Sequence, residues 1–192
     1  LSNGGAAHLF ANTITHSGEI NANSVEVDEQ GQVWLVAKDT LMLTEDSITS
    51  ADNAAGKAGS IRLLGDKVGL IDQAHVTADG QSGGGEILIG GDYQGAGPDI
   101  QNATASYVGK DVSISADAIT SDDGGKVIVW SDEVTRMYGR ISATAGTKSG
   151  DGGFIEVSGK KDLLYRGSVD ASSPTGLAGS VLFDPKNIII AI

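Results

Sequence analysis

The chain has 192 residues, of which 28 are glycine, 3 proline and none cysteine, and its 25 acidic against 13 basic side chains leave a net charge of −12. The length suits one domain, but so much glycine excludes an ordinary helical bundle, since each glycine costs about 1 kcal/mol in a helix interior. The 40% hydrophobic content excludes a disordered chain, the acidic balance disfavours nucleic acid or anionic membrane as partner, and the missing cysteine excludes disulfides, thiol nucleophiles and thiolate metal sites.

In chain order, a glycine followed by a short alternating strand recurs. The strands are Ala6–Phe10, Gln32–Val36, Ser60–Leu64, Glu86–Gly90, Lys126–Trp130, Phe154–Ser158 and Ser180–Asp184, preceded by Gly5, Gly31, Gly59, Gly85, Gly125, Gly153 and Gly179. The spacings are 26, 28, 26, 40, 28 and 26 residues. A second marker, a β-branched residue two positions before alanine or serine, falls at Ile20, Ile48, Val76, Ile119, Ile141 and Val169. Between the two markers lies a further apolar pair, such as Leu41 and Leu43, Val68 and Leu70, or Val112 and Ile114. Three short strands per repeat, restarting each time, predict one coil of a parallel β-helix, with each strand pairing with its equivalent about 4.8 Å along the axis. Residues 1–192 therefore read as one all-β solenoid of about seven coils, with starts near 6, 32, 60, 86, 126, 154 and 180. Ile61 and Leu63, Ile87 and Ile89, and Val127 and Val129 should point inward. The glycines suit corners that need positive φ or close approach of two backbones.

The one long interval holds an insertion over 92–106, and solenoid insertions map to loops on one face, often the binding face. Its Tyr93, Asp99 and Asn102 are candidate contact residues. The outward columns of the first strands run His8, Trp34, Arg62, Leu88, Ile128, Glu156, Leu182 and Phe10, Val36, Leu64, Gly90, Trp130, Ser158, Asp184. Apolar residues on both faces of a strand mean that both are covered. Either the insertion lies over this face, or Trp34, Leu64, Leu88, Ile128 and Trp130 form a stripe that meets a partner or other chains of an assembly. Neither column pairs carboxylates in adjacent coils, and His8, His16 and His75 occupy different phases, so no catalytic constellation, cofactor or built metal site emerges. Acidic turns at Asp122-Asp123 and Asp151 suit at most weak surface calcium. Asn102-Ala103-Thr104 matches the N-glycosylation pattern.

Several stretches together resemble the filamentous-haemagglutinin-type exoproteins of two-partner secretion systems: Gly90-Gly91-Asp92-Tyr93-Gln94-Gly95, Gly124–Asp132, Thr135–Ala143, Gly150–Gly159, Val169–Ser172 and Leu182–Ile188. The resemblance is densest from about residue 56 onward. It implies a right-handed β-helix, passage through a partner transporter in the outer membrane, and a secreted or cell-surface role in adhesion to a host, neighbour-cell or matrix receptor. Lack of cysteine suits a chain that crosses a periplasm unfolded. The family's Asn-Pro-Asn-Leu and Asn-Pro-Asn-Gly motifs are absent, so the chain reads as a non-catalytic stem segment downstream of the secretion domain. The chain begins at Leu1 rather than methionine, and its apolar, uncapped end at Ile188–Ile192 suggests continuation or cover by another chain. Alternatives are a glycan- or protein-binding module using the insertion and the apolar face, the stalk of a contact-dependent toxin exoprotein, and a polysaccharide-active β-helix enzyme.

Overall fold

A computed structural model describes residues 5–191. Among them, twenty short strands wind into a parallel β-helix of about seven coils. It is right-handed, as parallel crossovers almost always are. The first coil holds β1 (Ala6–His16) and β2 (Glu19–Asn21), and the second holds β3 (Gln32–Leu43) and β4 (Ile48–Ser50). The third holds β5 (Ser60–Leu64), β6 (Lys67–Leu70), β7 (His75–Thr77) and β8 (Gly80–Ser82). The fourth holds β9 (Glu86–Ile89), β10 (Ala105–Val108), β11 (Ser113–Ser115) and β12 (Ala118–Ser121). The fifth comprises β13 (Lys126–Ser131), β14 (Val134–Met137) and β15 (Arg140–Ser142). The sixth comprises β16 (Phe154–Gly159), β17 (Asp162–Tyr165) and β18 (Ser168–Asp170), and the last β19 (Ser180–Leu182) and β20 (Asn187–Ile190).

Two faces run into one sheet, because β1 and β3 bend through the first corner without a break and each serves both. The first face stacks β1, β3, β5, β9, β13, β16 and β19, and the second β1, β3, β6, β10, β14, β17 and β20. The third face is β2, β4, β7, β11, β15 and β18, with β8 and β12 as an extra pair.

Inside the first face, Val33, Ile61, Ile87, Val127 and Ile155 stand in register from coil to coil, as do Leu35, Leu63, Ile89, Val129 and Val157. All ten have no solvent exposure. Each ladder hides a branched apolar side chain about every 4.8 Å, roughly 1.5–3 kcal/mol per side chain in removal from water. The second face is less uniform. Its inward positions include Ser106 and Thr135, which are buried because Ser106 Oγ donates to the Trp130 carbonyl (2.6 Å) and Thr135 Oγ1 to the Ser158 carbonyl (2.8 Å).

Four sequence assignments shift. On the third face Thr49, not Ile48, stands in register with Val76, and Ile48 points outward. In the fourth coil the equivalent residue is Ile114, while the expected marker Ile119 lies exposed on β12. The inner pair on that coil's second face is accordingly Ser106 and Val108, not Val112 and Ile114. Ala105 and Ser106 belong to β10, so the insertion ends at Thr104.

The corner glycines answer to close approach. Gly59, Gly85, Gly125, Gly153 and Gly179 each donate their N–H to the alanine carbonyl that ends the third face of the same coil: Ala51, Ala78, Ala116, Ala143 and Ala171, at 2.7–2.9 Å. A Cβ on any of the five would overlap the carbonyl of the corner glycine one coil below, Gly31 in the case of Gly59. None of these five has a left-handed φ, so the positive-φ explanation does not apply to them.

Candidate functional site

The insertion leaves β9 through Gly90 (φ +71°) and Gly91, makes a short 3-10 turn at Tyr93–Gly95 and returns to β10. It runs along the outside of the first face rather than away from it. Asp92 starts the turn, accepting the Tyr93 N–H at 2.6 Å and pairing with Lys126 at 3.0 Å. Lys126 pairs also with Glu86 at 3.1 Å. Burial works against the charge of Asp92, but the Tyr93 N–H and Lys126 outweigh it and hold the carboxyl below its ordinary range. The Lys126 ammonium loses hydration too, yet Asp92 and Glu86 hold its pKa above the usual value.

At the end of the turn, Gly95 packs against the indole of Trp130. Its φ of +64° and the absence of space for a Cβ both demand glycine there. Asn102 Nδ2 donates to the Gly95 carbonyl at 2.9 Å, the Ala103 N–H to the Gly90 carbonyl at 2.7 Å, and Trp130 Nε1 to Asp132 at 3.2 Å. Ile100 and Phe154 complete a small apolar cluster with Leu88, Ile128 and Trp130.

Of the two readings of the apolar stripe, cover describes its central part. Leu88, Ile128 and Trp130 are buried beneath the loop, and Leu64 is buried as well. Trp34 is separate from this cluster. It is half-buried, stacked on His8 at 4.2 Å with rings 12° apart, and has the Arg62 guanidinium 4.3 Å above its other side. Of the loop candidates, Tyr93 is exposed and meets Phe154 edge-on at 5.8 Å, and Asp99 is exposed. Asn102 is turned inward: the Nδ2 atom that a glycan would occupy is spent on Gly95, so this acceptor does not fit modification of the folded chain.

Two features escape sequence reasoning. Glu156, in the outward column, has no solvent exposure. Its Oε2 accepts the Gln94 N–H at 3.1 Å and its Oε1 has no partner. Burial pushes its pKa up against the Gln94 N–H and the Ser158 hydroxyl, which favour the carboxylate, and the charges of Asp184 and Asp92 add to the rise. The sequence columns put no carboxylates together here; the loop and the last coil do. Only Glu156 is covered, while Asp92 and Asp184 reach solvent.

The second feature is a ladder at the residue after the third-face alanine: Asn23, Asp52, Asp79 and Asp117. Each of Asp52, Asp79 and Asp117 accepts the backbone N–H of the equivalent residue one coil on, at 2.6–2.8 Å, and a Thr or Ser hydroxyl, at 2.8–3.0 Å. Asn23 begins it by accepting the Asp52 N–H. The repeated Ala-Asp and Ala-Asn pairs were the available signal.

The acids considered for calcium also cap backbone in the next coil. Asp123 accepts the Asp151 N–H and Asp151 the Leu177 N–H, both at 2.7 Å. Among the described residues no group of three or more His, Asp or Glu is placed to hold a metal ion. His16 bonds to the Ile48 carbonyl and His75, the register partner of Ile48, to the Ser113 hydroxyl.

No protein-family profile matches the chain, and neither does any curated protein. Among solved structures it is similar to the crystal structure of the HMW1 secretion domain from Haemophilus influenzae, with 32% identity and a TM-score of 0.75. The match covers 98% of this chain and 46% of that one. The chain thus resembles about half of a secretion domain. The likeness extends over the first two coils, where the motifs alone are sparse.

Proposed function

We propose that the chain is a non-catalytic β-helical segment of a two-partner secretion exoprotein, exported through an outer-membrane transporter to the medium or cell surface. The observation that carries the reading is the likeness to a secretion domain over almost the whole chain at 32% identity. The exoprotein-like motifs, the absence of cysteine and the unbroken solenoid support it. Within the longer protein the segment is a rigid spacer that holds adhesive regions away from the cell. Its likeness to a secretion domain favours a place within or beside the export region over a distant stem.

The test is to express the full reading frame in a Gram-negative host with and without the adjoining transporter. Export predicts product in the medium only with the transporter, and transporter-independent release overturns it. A glycan array and binding of coated beads to cells then separate spacer from binding module. Binding that is lost on Trp34→Ala or Tyr93→Ala, in a chain with unchanged circular dichroism, identifies a module.

A further inference from the structure

The insertion binds three coils beyond its own, and at its return it also holds two earlier ones, through Gln101 on the Lys38 carbonyl of the second and Thr104 on Asp66 of the third. From the fourth coil it reaches the fifth through Asp92–Lys126 and Gly95 on Trp130. Gln94 N–H on Glu156 and Tyr93 against Phe154 reach the sixth, and Gln94 Nε2 on Asp184, at 2.9 Å, the seventh. Three coil steps span about 14 Å. The loop therefore lies along the axis as a strap across coils that otherwise touch only their neighbours.

Its central fastening is unusual. Glu156 lies entirely beneath the strap with one carboxyl oxygen unpartnered, and the residue that bonds it, Gln94, holds a left-handed φ of +51°. The charged groups around Glu156 are Asp92 on the strap and Asp184 beyond β19, with Lys126 on β13 committed to Asp92 and Glu86. An ionised Glu156 would be a buried charge with two carboxylates near it and no cation of its own, held only by the Gln94 N–H and the Ser158 hydroxyl. A protonated one leaves a bare hydroxyl instead, while its carbonyl oxygen still accepts the Gln94 N–H.

We propose that residues 92–104 form a proton-controlled strap, closed over Leu88, Ile128 and Trp130 while Glu156 carries a proton and loosened when Glu156 ionises. Opening transfers that proton to water and hydrates the carboxylate. The upward displacement of the Glu156 pKa agrees in direction. Free of the strap, Glu156 titrates near the ordinary glutamate value of about 4.3. Between that pH and its raised value, opening releases one proton, so the open fraction rises about tenfold per pH unit. Below the window the strap has its full hold, and above it the open fraction is constant.

Hydrogen exchange of amides 93–102 over pH 4.5–8, normalised to unstructured-peptide rates, measures the opening. The expected result is a rise in normalised exchange with pH in the native chain and a flat, protected profile in Glu156→Gln. Asp184→Asn, which keeps an acceptor for Gln94 while removing a charge, should move the plateau to lower pH and lower exchange. The emission of Trp130 in a Trp34→Phe chain should shift to the red over the same window. The proposal is overturned if normalised exchange in the native chain does not change with pH, or if its rise persists in Glu156→Gln. Should that variant fail to fold, an unmoved plateau in Asp184→Asn overturns it equally.

Discussion

At the scale of single residues, the aspartate ladder shows how a stacked fold turns one favourable contact into a cumulative charge problem. Each carboxylate of Asp52, Asp79 and Asp117 caps a backbone N–H in the next coil, which no apolar side chain could do. Yet the coil rise holds like charges about 5 Å apart. Asp79 sits in the middle. Burial pushes its carboxyl up to about 6, against the Asp117 N–H and the Ser115 hydroxyl that it accepts, and the charges of Asp117 and Asp52 add to the rise. A folded pKa above the unfolded one means that Asp79 contributes most below about pH 4, and that this contribution fades as pH rises to about 6. The shift corresponds to at most about 3 kcal/mol, less after solvent screening. Asp79→Asn keeps an oxygen for the Asp117 N–H and removes the charge. In urea unfolding, the variant should gain on the native chain progressively from pH 4 to pH 7. A stability difference that stays constant across that range would refute this account.

At the scale of elements, the strands and the insertion carry different kinds of information. The first-face strands were legible because alternation and a corner glycine coincide, and the outward columns follow from the same register. The third face was harder to read. At Ile48-Thr49 two adjacent β-branched residues compete for the inward position, and the marker Ile119 belongs to an extra strand made after the coil had already placed Ile114. Glu156 could not be read at all, since its burial comes from a loop 62 residues earlier in the chain. What the loop contributes as an element can be measured by removal. In the third coil the link between first and second faces is only Gly65-Asp66. Replacing 91–104 by that dipeptide, with Gly90 kept as the equivalent of Leu64, should leave the parallel ladders intact, with unchanged far-ultraviolet circular dichroism. It should also uncover Leu88, Ile128 and Trp130, seen as binding of a hydrophobic dye and a red-shifted tryptophan emission. If the ladders collapse as well, the strap is part of the core and not a cover over it.

At the scale of the whole molecule, the fold is a one-dimensional stack in which each coil meets only its neighbours, apart from the strap. The interior is made of interchangeable levels: Val33 rests on Ile61, which rests on Ile87, and Leu35 on Leu63 on Ile89. Removing residues 60–85 would delete one complete level and join Gly59 to Glu86. Val33 would then meet Ile87, Leu43 would meet Val108, Thr49 would meet Ile114, and Asp52 would inherit the Asp117 N–H from Asp79. Every ladder is shortened by one step and none is broken, and the strap keeps its holds on the later coils, losing only those of Thr104 on Asp66. The shortened chain should fold with the same circular dichroism per residue. Because the denaturant slope follows the surface exposed on unfolding, its m-value should fall by roughly one seventh. Deleting only 60–72 removes half a level, sets inward positions against outward ones, and should abolish folding. Equal tolerance of both deletions would show that register between coils does not hold this molecule together, whereas loss of the fold in both would show coupling beyond nearest neighbours.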